Sequence, residues 1–124
     1  MPLVLVIDDD ANVRRLVRRI LSALSHSVVE AEDGEMGMAL LRDERPALVI
    51  TDLVMPRKEG IETIREIRQL SPGTKIIAIS GNEIGSSSTL YLRAAATLGA
   101  DAILAKPFRE AELVEAIANV LAHV

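Results

Sequence analysis

Residues 47–56 read ALVITDLVMP, an apolar run that passes directly into an acidic residue. The run Ala47–Ile50 predicts a short buried strand, because continuous apolar residues are typical of strands that are covered on both faces. Asp52 comes just past the end of that strand, and Pro56 follows in the next turn. Open α/β folds place their ligands at the carboxyl ends of such strands. The segment therefore predicts a parallel strand and, in Asp52, a candidate site residue.

Three further apolar runs also end in polar residues. They are Leu3–Ile7 before Asp8, Asp9 and Asp10, Lys75–Ile79 before Ser80, and Ala102–Ala105 before Lys106 and Pro107. If the strands are parallel, their C-terminal ends share one edge of the sheet. Carboxylates, a hydroxyl and an ammonium group then converge on one pocket. That combination suits a hard cation and a phosphoryl group.

The apolar pattern alternates between strand and helix five times along the chain. The predicted strands are Leu3–Ile7, Ser27–Ala31, Ala47–Ile50, Lys75–Ile79 and Ala102–Ala105. The predicted helices are about Ala11–Leu24, Gly34–Asp43 and Ile61–Leu70, a fourth that ends near Leu98, and a fifth that carries Leu113, Val114, Ile117, Val120 and Leu121. This alternation predicts an α/β fold with a doubly wound, five-stranded parallel sheet. A length of 124 residues corresponds to one domain, residues 1–124.

Helical spacing also predicts which side chains of the helices enter the core. We expect Leu24 to be buried at the end of the first helix, and Met36 and Leu40 to lie on the inner face of the second. In the third helix the predicted core residues are Ile61, Ile64 and Ile67.

Composition excludes several classes of function. The net charge of −4 gives no general attraction to nucleic acid. The absence of cysteine excludes disulfides, a thiolate metal site and a cysteine nucleophile. No apolar stretch approaches the roughly 20 residues of a membrane span, and no signal-peptide pattern begins the chain. We therefore expect a cytoplasmic protein that binds neither nucleic acid nor a membrane.

The acidic residues after the first strand predict a divalent cation. Crowded carboxylates repel one another unless water or a cation neutralises them. Asp52 adds an independent carboxylate to Asp8 and Asp9, and Mg²⁺ fits such a set because it prefers oxygen ligands and retains several waters. Asp10 is instead predicted to cap the first helix, where the helix dipole favours negative charge.

Four motifs together resemble the receiver domain of two-component response regulators, over essentially the whole chain. They are Asp8-Asp9, the segment from Asp52 to Pro56 with Gly60, Ser80-Gly81, and Lys106-Pro107-Phe108. The family includes the single-domain chemotaxis regulator. The resemblance implies a flavodoxin-like (βα)5 fold with the strand order 2-1-3-4-5, whose switch point lies between the strands that carry Asp8-Asp9 and Asp52.

The resemblance also implies a role for each motif residue. Asp52 would accept the phosphoryl group from a phosphohistidine. The Mg²⁺ ligands would be Asp9, Asp8 directly or through water, Asp52 and the backbone carbonyl of Val54. Lys106 would pair with one phosphoryl oxygen, and Ser80 would donate a hydrogen bond to another. We also predict a cis Lys106–Pro107 peptide bond, since Pro107 lies at a tight turn and the cis form of an X–Pro bond costs only about 0.5–1 kcal/mol.

One departure from the family concerns the conformational switch. Ile103 stands where the family usually has an aromatic residue, and its β-branched side chain can act at most as a weak rotamer switch. The signal is therefore predicted to travel through the loop after Ser80 into the fourth helix. The output surface would be the face of the fourth helix, fifth strand and fifth helix, with Ile84, Tyr91 and Arg109 as candidates.

Several readings of function and assembly stay open at this stage. The leading one is a stand-alone signalling module, not an enzyme, that receives phosphate from a sensor histidine kinase or phosphotransfer protein and binds a downstream protein effector. The basic face of the first helix, which carries Arg14, Arg15, Arg18 and Arg19, suits a solvated surface and a kinase-docking surface equally. One alternative is an aspartate-nucleophile phosphatase of the haloacid dehalogenase type. That family needs a second acid two positions after its nucleophile, where Val54 follows Asp52; Asp8 and Asp10 have the required spacing, but no Thr follows them at the expected place. Another is a phosphorelay intermediate cut from a larger regulator. The sequence leaves a monomer and a weak dimer both possible.

Overall fold

The computed structural model describes residues 2–53, 60–80 and 99–122. Five parallel strands form one sheet in the order β2-β1-β3-β4-β5, which confirms the predicted doubly wound, flavodoxin-like fold. The strands are β1 (Leu3–Ile7), β2 (Ser27–Ala31), β3 (Leu48–Asp52), β4 (Lys75–Ser80) and β5 (Ala102–Ala105).

Four helices lie within the described residues. They are α1 (Ala11–Ala23), α2 (Gly34–Glu44), α3 (Gly60–Leu70) and the C-terminal helix (Glu110–Ala122). Asp10 caps α1, as predicted, because its carboxylate accepts a hydrogen bond from the backbone N–H of Asn12. Asp33 caps α2 in the same way, through the N–H of Met36. The predicted fourth helix falls outside the described residues.

The sheet separates two apolar clusters, because successive strand side chains point to opposite faces. On one face, Leu5, Ile7 and Val49 pack with residues of α2 and α3. On the other, Val6 and Ile50 pack with residues of α1 and the C-terminal helix. The central strands are therefore buried on both sides, and their apolar runs need no polar alternation.

Two predicted core residues are exposed instead. Leu24 is 38% exposed, because α1 ends at Ala23 and Leu24 is already the residue that caps it. Met36 is 44% exposed, because α2 turns a different stripe inward: Gly34, Gly37, Met38 and Leu41. A side chain at Gly37 would collide with Ile7, so this glycine lets α2 approach the sheet closely. Glycines carry no hydrophobic signal in a sequence, and the prediction that Met36 faces the core was therefore wrong.

The ends of β3 and β4 also differ from the prediction. β3 begins at Leu48 and runs through Asp52, and β4 runs through Ser80. Asp52 and Ser80 are thus the last residues of their strands, and ladder hydrogen bonds hold their backbones. Ile64 and Ile67 are buried in the core as expected, and Leu40 is partly buried against it. The side chain of Ile61 lies outside the described part of the chain.

The turn from α1 into β2 holds a non-glycine residue in the left-handed region. Ser25 has φ 64°, its N–H donates to the carbonyl of Ser22, and the N–H of His26 donates to the carbonyl of Leu21. This pair of bonds is a Schellman motif, in which glycine usually holds the position of Ser25. In residues 2–53, 60–80 and 99–122, no helix combines the length and the apolar character that a membrane crossing requires.

Candidate functional site

The register of the sheet brings the predicted site residues to one edge. Ile7 pairs with Thr51, so Asp8 follows β1 directly beside Asp52. On the other side of β3, Asp52 pairs with Ile79. Ser80 in turn pairs with Ala105, and the N–H of Lys106 donates to the carbonyl of Ser80 over 2.7 Å. Residues far apart in the chain are thus neighbours because all four strands run in the same direction.

Asp8, Asp9 and Asp52 form an acidic cluster. One carboxylate oxygen from each lies within 4.8 Å of the others. Asp8 is only 2% exposed and Asp52 6%, whereas Asp9 is open to solvent. Two buried carboxylates and one exposed carboxylate provide oxygen ligands together with access for water. This donor set fits a small, hard divalent cation better than a soft metal, which would seek thiolate or imidazole ligands.

Lys106 bridges the two buried carboxylates. Its Nζ lies 3.3 Å from Oδ2 of Asp8 and 3.5 Å from Oδ2 of Asp52. These separations are long for hydrogen bonds, so the interaction is mainly one of opposite charges. The ammonium group partly neutralises the cluster, and it stands where a negatively charged ligand would meet it.

Burial and charge shift two pKa values in this site. Burial raises the pKa of the Asp8 carboxyl above its ordinary value, and this outweighs the hydrogen bond from the N–H of Asp10 and the charge of Lys106. Burial alone would lower the pKa of Lys106. The carboxylates of Asp52 and Asp8 overcome that effect, and the pKa of Lys106 is raised. The folded site therefore favours a protonated lysine and penalises an ionised Asp8.

A second set of contacts holds the loop between β1 and α1. The side chain of Asp8 accepts the N–H of Asp10 over 2.9 Å, and its backbone carbonyl accepts a hydrogen bond from Nη1 of Arg14 over 2.5 Å. Glu30 on β2 pairs with Arg14 at 3.3 Å and with Arg18 at 2.5 Å. These two arginines of the predicted basic face are therefore ion-paired. Sequence reasoning missed the link to Asp8, because the spacing of Arg14 carries no such signal.

The other predicted site residues lie in different parts of the fold. Ser80 is 1% exposed and ends the strand next to Asp52. Ile103 lies on β5 and is 40% exposed. The Lys106–Pro107 peptide bond is cis. Val54 and the loop after Ser80, with Ile84 and Tyr91, lie outside the described residues. The carboxylate of Asp10 caps α1 by accepting a hydrogen bond from the N–H of Asn12. This contact does not favour the phosphatase alternative, in which Asp10 would be the acid that acts with Asp8.

A shallow apolar groove adjoins the acidic cluster. Its volume is about 380 Å³, and its lining consists of Val13, Leu16, Lys106, Pro107 and Phe108. Lys106 therefore borders both the groove and the acidic site.

Comparison with known proteins gives one consistent family. The sequence model of the response regulator receiver domain matches residues 4–118. The chain is 37% identical over 111 residues to the response regulator MprA of Mycolicibacterium vanbaalenii, covering 90% of this chain and 46% of that protein. It is 35% identical over 118 residues to the chemotaxis protein CheY of Halobacterium salinarum, covering 95% of each.

Solved structures agree with the sequence comparison. The receiver domain of NtrX from Brucella abortus superposes with a TM-score of 0.90 at 28% identity, covering 98% of this chain and 99% of that one. The chemotaxis protein CheY4 of Vibrio cholerae gives a TM-score of 0.85 at 27% identity, with coverage of 97% and 98%. The chain spans about half the length of several relatives, including MprA at 46%, and nearly the whole length of others, including CheY.

Proposed function

Because the chain belongs to the response regulator receiver domain family, we propose that it is a signalling module controlled by phosphorylation of Asp52. Receiver domains are signalling modules of two-component systems. For this chain we propose that residues 1–124 act as one receiver domain, which takes its phosphoryl group from a partner protein and does not turn over substrates as an enzyme.

One observation carries this proposal: the acidic cluster and Lys106 lie together at the carboxyl edge of the sheet. Nζ of Lys106 is 3.5 Å from Asp52, and a carboxylate oxygen of Asp52 lies within 4.8 Å of one from Asp8 and one from Asp9. Phosphoryl transfer requires mainly positioning and charge stabilisation. A carboxylate nucleophile, a cation site and a fixed ammonium group supply these within one small region.

The metal that fits the cluster best is Mg²⁺. Asp8, Asp9 and Asp52 would hold it, with the backbone carbonyl of Val54 as a further ligand in line with the family. When bound, the ion shields the carboxylates from an incoming phosphoryl group and polarises that group. Without a cation, the negative charges of the cluster would repel the donor.

The proposed transfer step is a displacement at phosphorus by the carboxylate of Asp52. A carboxylate oxygen of Asp52 attacks the phosphorus of a phosphohistidine, and an O–P bond forms as the P–N bond breaks. The electron pair of that bond returns to the imidazole nitrogen, which takes up a proton. Lys106 then pairs with a phosphoryl oxygen, and the hydroxyl of Ser80 donates to another.

The phosphoryl group would shift a conformational equilibrium that already exists in the free protein. One of the two conformations would be favoured by a hydrogen bond from the Ser80 hydroxyl to a phosphoryl oxygen. That hydrogen bond would draw the loop after β4 toward Asp52. Ile103 contributes little to this switch, because its β-branched side chain has few rotamers. The output surface would comprise the segment after β4, β5 and the C-terminal helix, including Arg109.

The upstream partner we propose is a sensor histidine kinase or a phosphotransfer protein, and the downstream partner is a protein effector. The groove of Val13, Leu16, Pro107 and Phe108 would receive an apolar face of the histidine-bearing protein, because it opens beside Lys106. The proposed location is the cytoplasm. With a net charge of −4, neither nucleic acid nor a membrane surface is a proposed partner.

Intact-mass measurement after incubation with a small acyl phosphate tests this function. One phosphoryl group should be added in the presence of Mg²⁺, and none when a chelator removes the ion. Asp52→Asn should abolish the addition. Asp43→Asn is the matched control, because Asp43 is an exposed carboxylate on α2, and it should be labelled like the wild type. Addition that persists in Asp52→Asn would exclude Asp52 as the acceptor.

A further inference from the structure

We propose that Arg14 is a positioning residue for the cation site, acting on the peptide that joins Asp8 to Asp9. This inference rests on the proposed function, since it concerns the same cation. It adds a residue outside the ligand set, on a helix, whose contact is with the backbone of the loop.

The contacts of Arg14 run from the helix to the loop and to the sheet. Nη1 donates to the backbone carbonyl of Asp8 over 2.5 Å, and Nε pairs with Oε1 of Glu30 at 3.3 Å. Side chains of a helix lean toward its N-terminus, so Arg14 reaches back past the start of α1. Glu30 faces it from β2, where it pairs in register with Val6. The guanidinium group is therefore held at both ends, and the Arg14 side chain as a whole is only 17% exposed.

The carbonyl that Arg14 holds belongs to the peptide group that leads into Asp9. Asp8 itself is fixed by other means, because its side chain is buried and accepts the N–H of Asp10. Asp9 is exposed and follows the end of β1, so the strand ladder does not restrain it. Holding the Asp8–Asp9 peptide plane sets the direction in which the chain leaves Asp8. Arg14 thereby keeps the carboxylate of Asp9 close to those of Asp8 and Asp52.

A purely electrostatic role for Arg14 would have the opposite sign. A cation near three carboxylates competes with a metal ion, so its removal would tighten metal binding. Glu30, which Arg14 shares with Arg18, offsets part of the charge of Arg14, and we expect the geometric effect to dominate. Loss of Arg14 should then weaken Mg²⁺ binding. The direction of the change therefore separates positioning from charge.

A Mg²⁺ titration followed by the amide NMR shifts of residues 8–10 and 52 tests the inference. Arg14→Ala should weaken Mg²⁺ binding about ten-fold, in line with the loss of other partners that orient metal ligands. Arg14→Lys should recover part of the affinity, because an ammonium group still donates to the carbonyl of Asp8 but cannot also hold Glu30. Arg18→Ala is the matched control. Arg18 shares Glu30 but has no bond to Asp8, so this variant should bind Mg²⁺ as the wild type does.

Thermal unfolding of the metal-free variants separates this effect from a general loss of structure. The titration is made well below the unfolding temperature of each variant, and Arg14→Lys keeps the test available if Arg14→Ala does not fold. Unchanged or tighter Mg²⁺ binding in a folded Arg14 variant would overturn the inference and leave the proposed function intact. Equal weakening in Arg18→Ala would overturn it as well. A wild-type protein without saturable Mg²⁺ binding would overturn the metal site and the inference together.

Discussion

Nζ of Lys106 lies 3.5 Å from Oδ2 of Asp52, although 54 positions separate the two residues in the chain. The pairing arises because β4 holds β3 on one side and β5 on the other, with all three strands parallel. The same ammonium group lies 3.3 Å from Asp8. Lys106 therefore neutralises part of the acidic cluster before any cation or phosphoryl group is bound.

Replacement of Lys106 should affect cation binding and phosphoryl uptake in opposite directions. Lys106→Met keeps the length of the side chain but removes a charge near two carboxylates, so Mg²⁺ should bind more tightly by about 1 kcal/mol. Phosphoryl uptake from a small acyl phosphate should slow, since the charge that pairs with the phosphoryl oxygen is gone. A Mg²⁺ titration and the rate of mass increase measure the two effects. Lys75→Met at the start of β4 is the control, and a weaker affinity in Lys106→Met would contradict this view of the site.

The raised pKa of Asp8 predicts how stability depends on pH without a divalent cation. The folded protein holds the proton of Asp8 more tightly than the unfolded chain does. The contribution of Asp8 to stability is therefore greatest below its ordinary pKa of 3.8 and is lost as the pH rises through the raised value in the fold. Asp8→Asn should thus be more stable than the wild type at neutral pH, and the difference should vanish in acid.

Denaturant unfolding of both proteins across this pH range measures the difference. Saturating Mg²⁺ should favour the wild type again. Only the wild type keeps the Asp8 carboxylate as a ligand of the ion, and ligand binding stabilises the folded state. Asp43→Asn, on the exposed face of α2, should show neither effect. A less stable Asp8→Asn protein at neutral pH in the absence of cation would show that the pairing with Lys106 outweighs the cost of burial.

Arg68 on α3 should be important for stability far from the acidic cluster. Its guanidinium group donates to the carbonyls of Gly99, Pro72 and Thr74 and pairs with Asp101 at 2.6 Å. Arg68→Lys cannot satisfy this planar set of acceptors and should lower the free energy of unfolding by about 1.5–3 kcal/mol. Arg65→Lys, on an exposed position of the same helix, should change it little. Equal values for the two variants in denaturant unfolding would contradict the prediction.

Ser25→Gly should stabilise the protein. Ser25 has φ 64°, a conformation that glycine adopts without a steric cost, so the gain should be about 0.5–1 kcal/mol. The same replacement at Ser22, inside α1, should destabilise by a similar amount, because glycine is unfavourable in a helix interior. Unfolding of both variants under identical conditions tests the pair. A loss of stability in Ser25→Gly would mean that the Schellman motif needs the serine side chain.

Much of the fold follows from the apolar runs of the sequence. The bounds of β1, β2 and β5 were predicted to the residue, because polar residues follow each run directly. The meeting of Asp8, Asp9, Asp52 and Lys106 was also predictable in outline, since parallel strands bring their carboxyl ends to one edge. What carried this prediction was the position of each residue relative to its strand.

The remaining features depend on contacts that no local pattern encodes. The inner face of α2 is set by the close approach of Gly37 to Ile7. Predicting that face would have required the distance between the helix and the sheet. The bond from Arg14 to Asp8 requires Glu30, on a different strand, to orient the guanidinium group. Arg68 likewise meets Gly99 and Asp101 only after α3 and β5 have packed. Long polar side chains with several possible partners are thus the part that sequence reasoning could not resolve.

The most direct test of the central claim is to locate the phosphoryl group chemically. Borohydride reduces an aspartyl phosphate to the corresponding alcohol, which leaves a stable mark at the modified residue for peptide mass spectrometry. After incubation with an acyl phosphate and Mg²⁺, the mark should appear at Asp52 alone and should be absent when a chelator is present. A mark at Asp8 or Asp9, or equal marking of Asp52 without a divalent cation, would contradict the proposal that Asp52 is the metal-dependent phosphoryl acceptor.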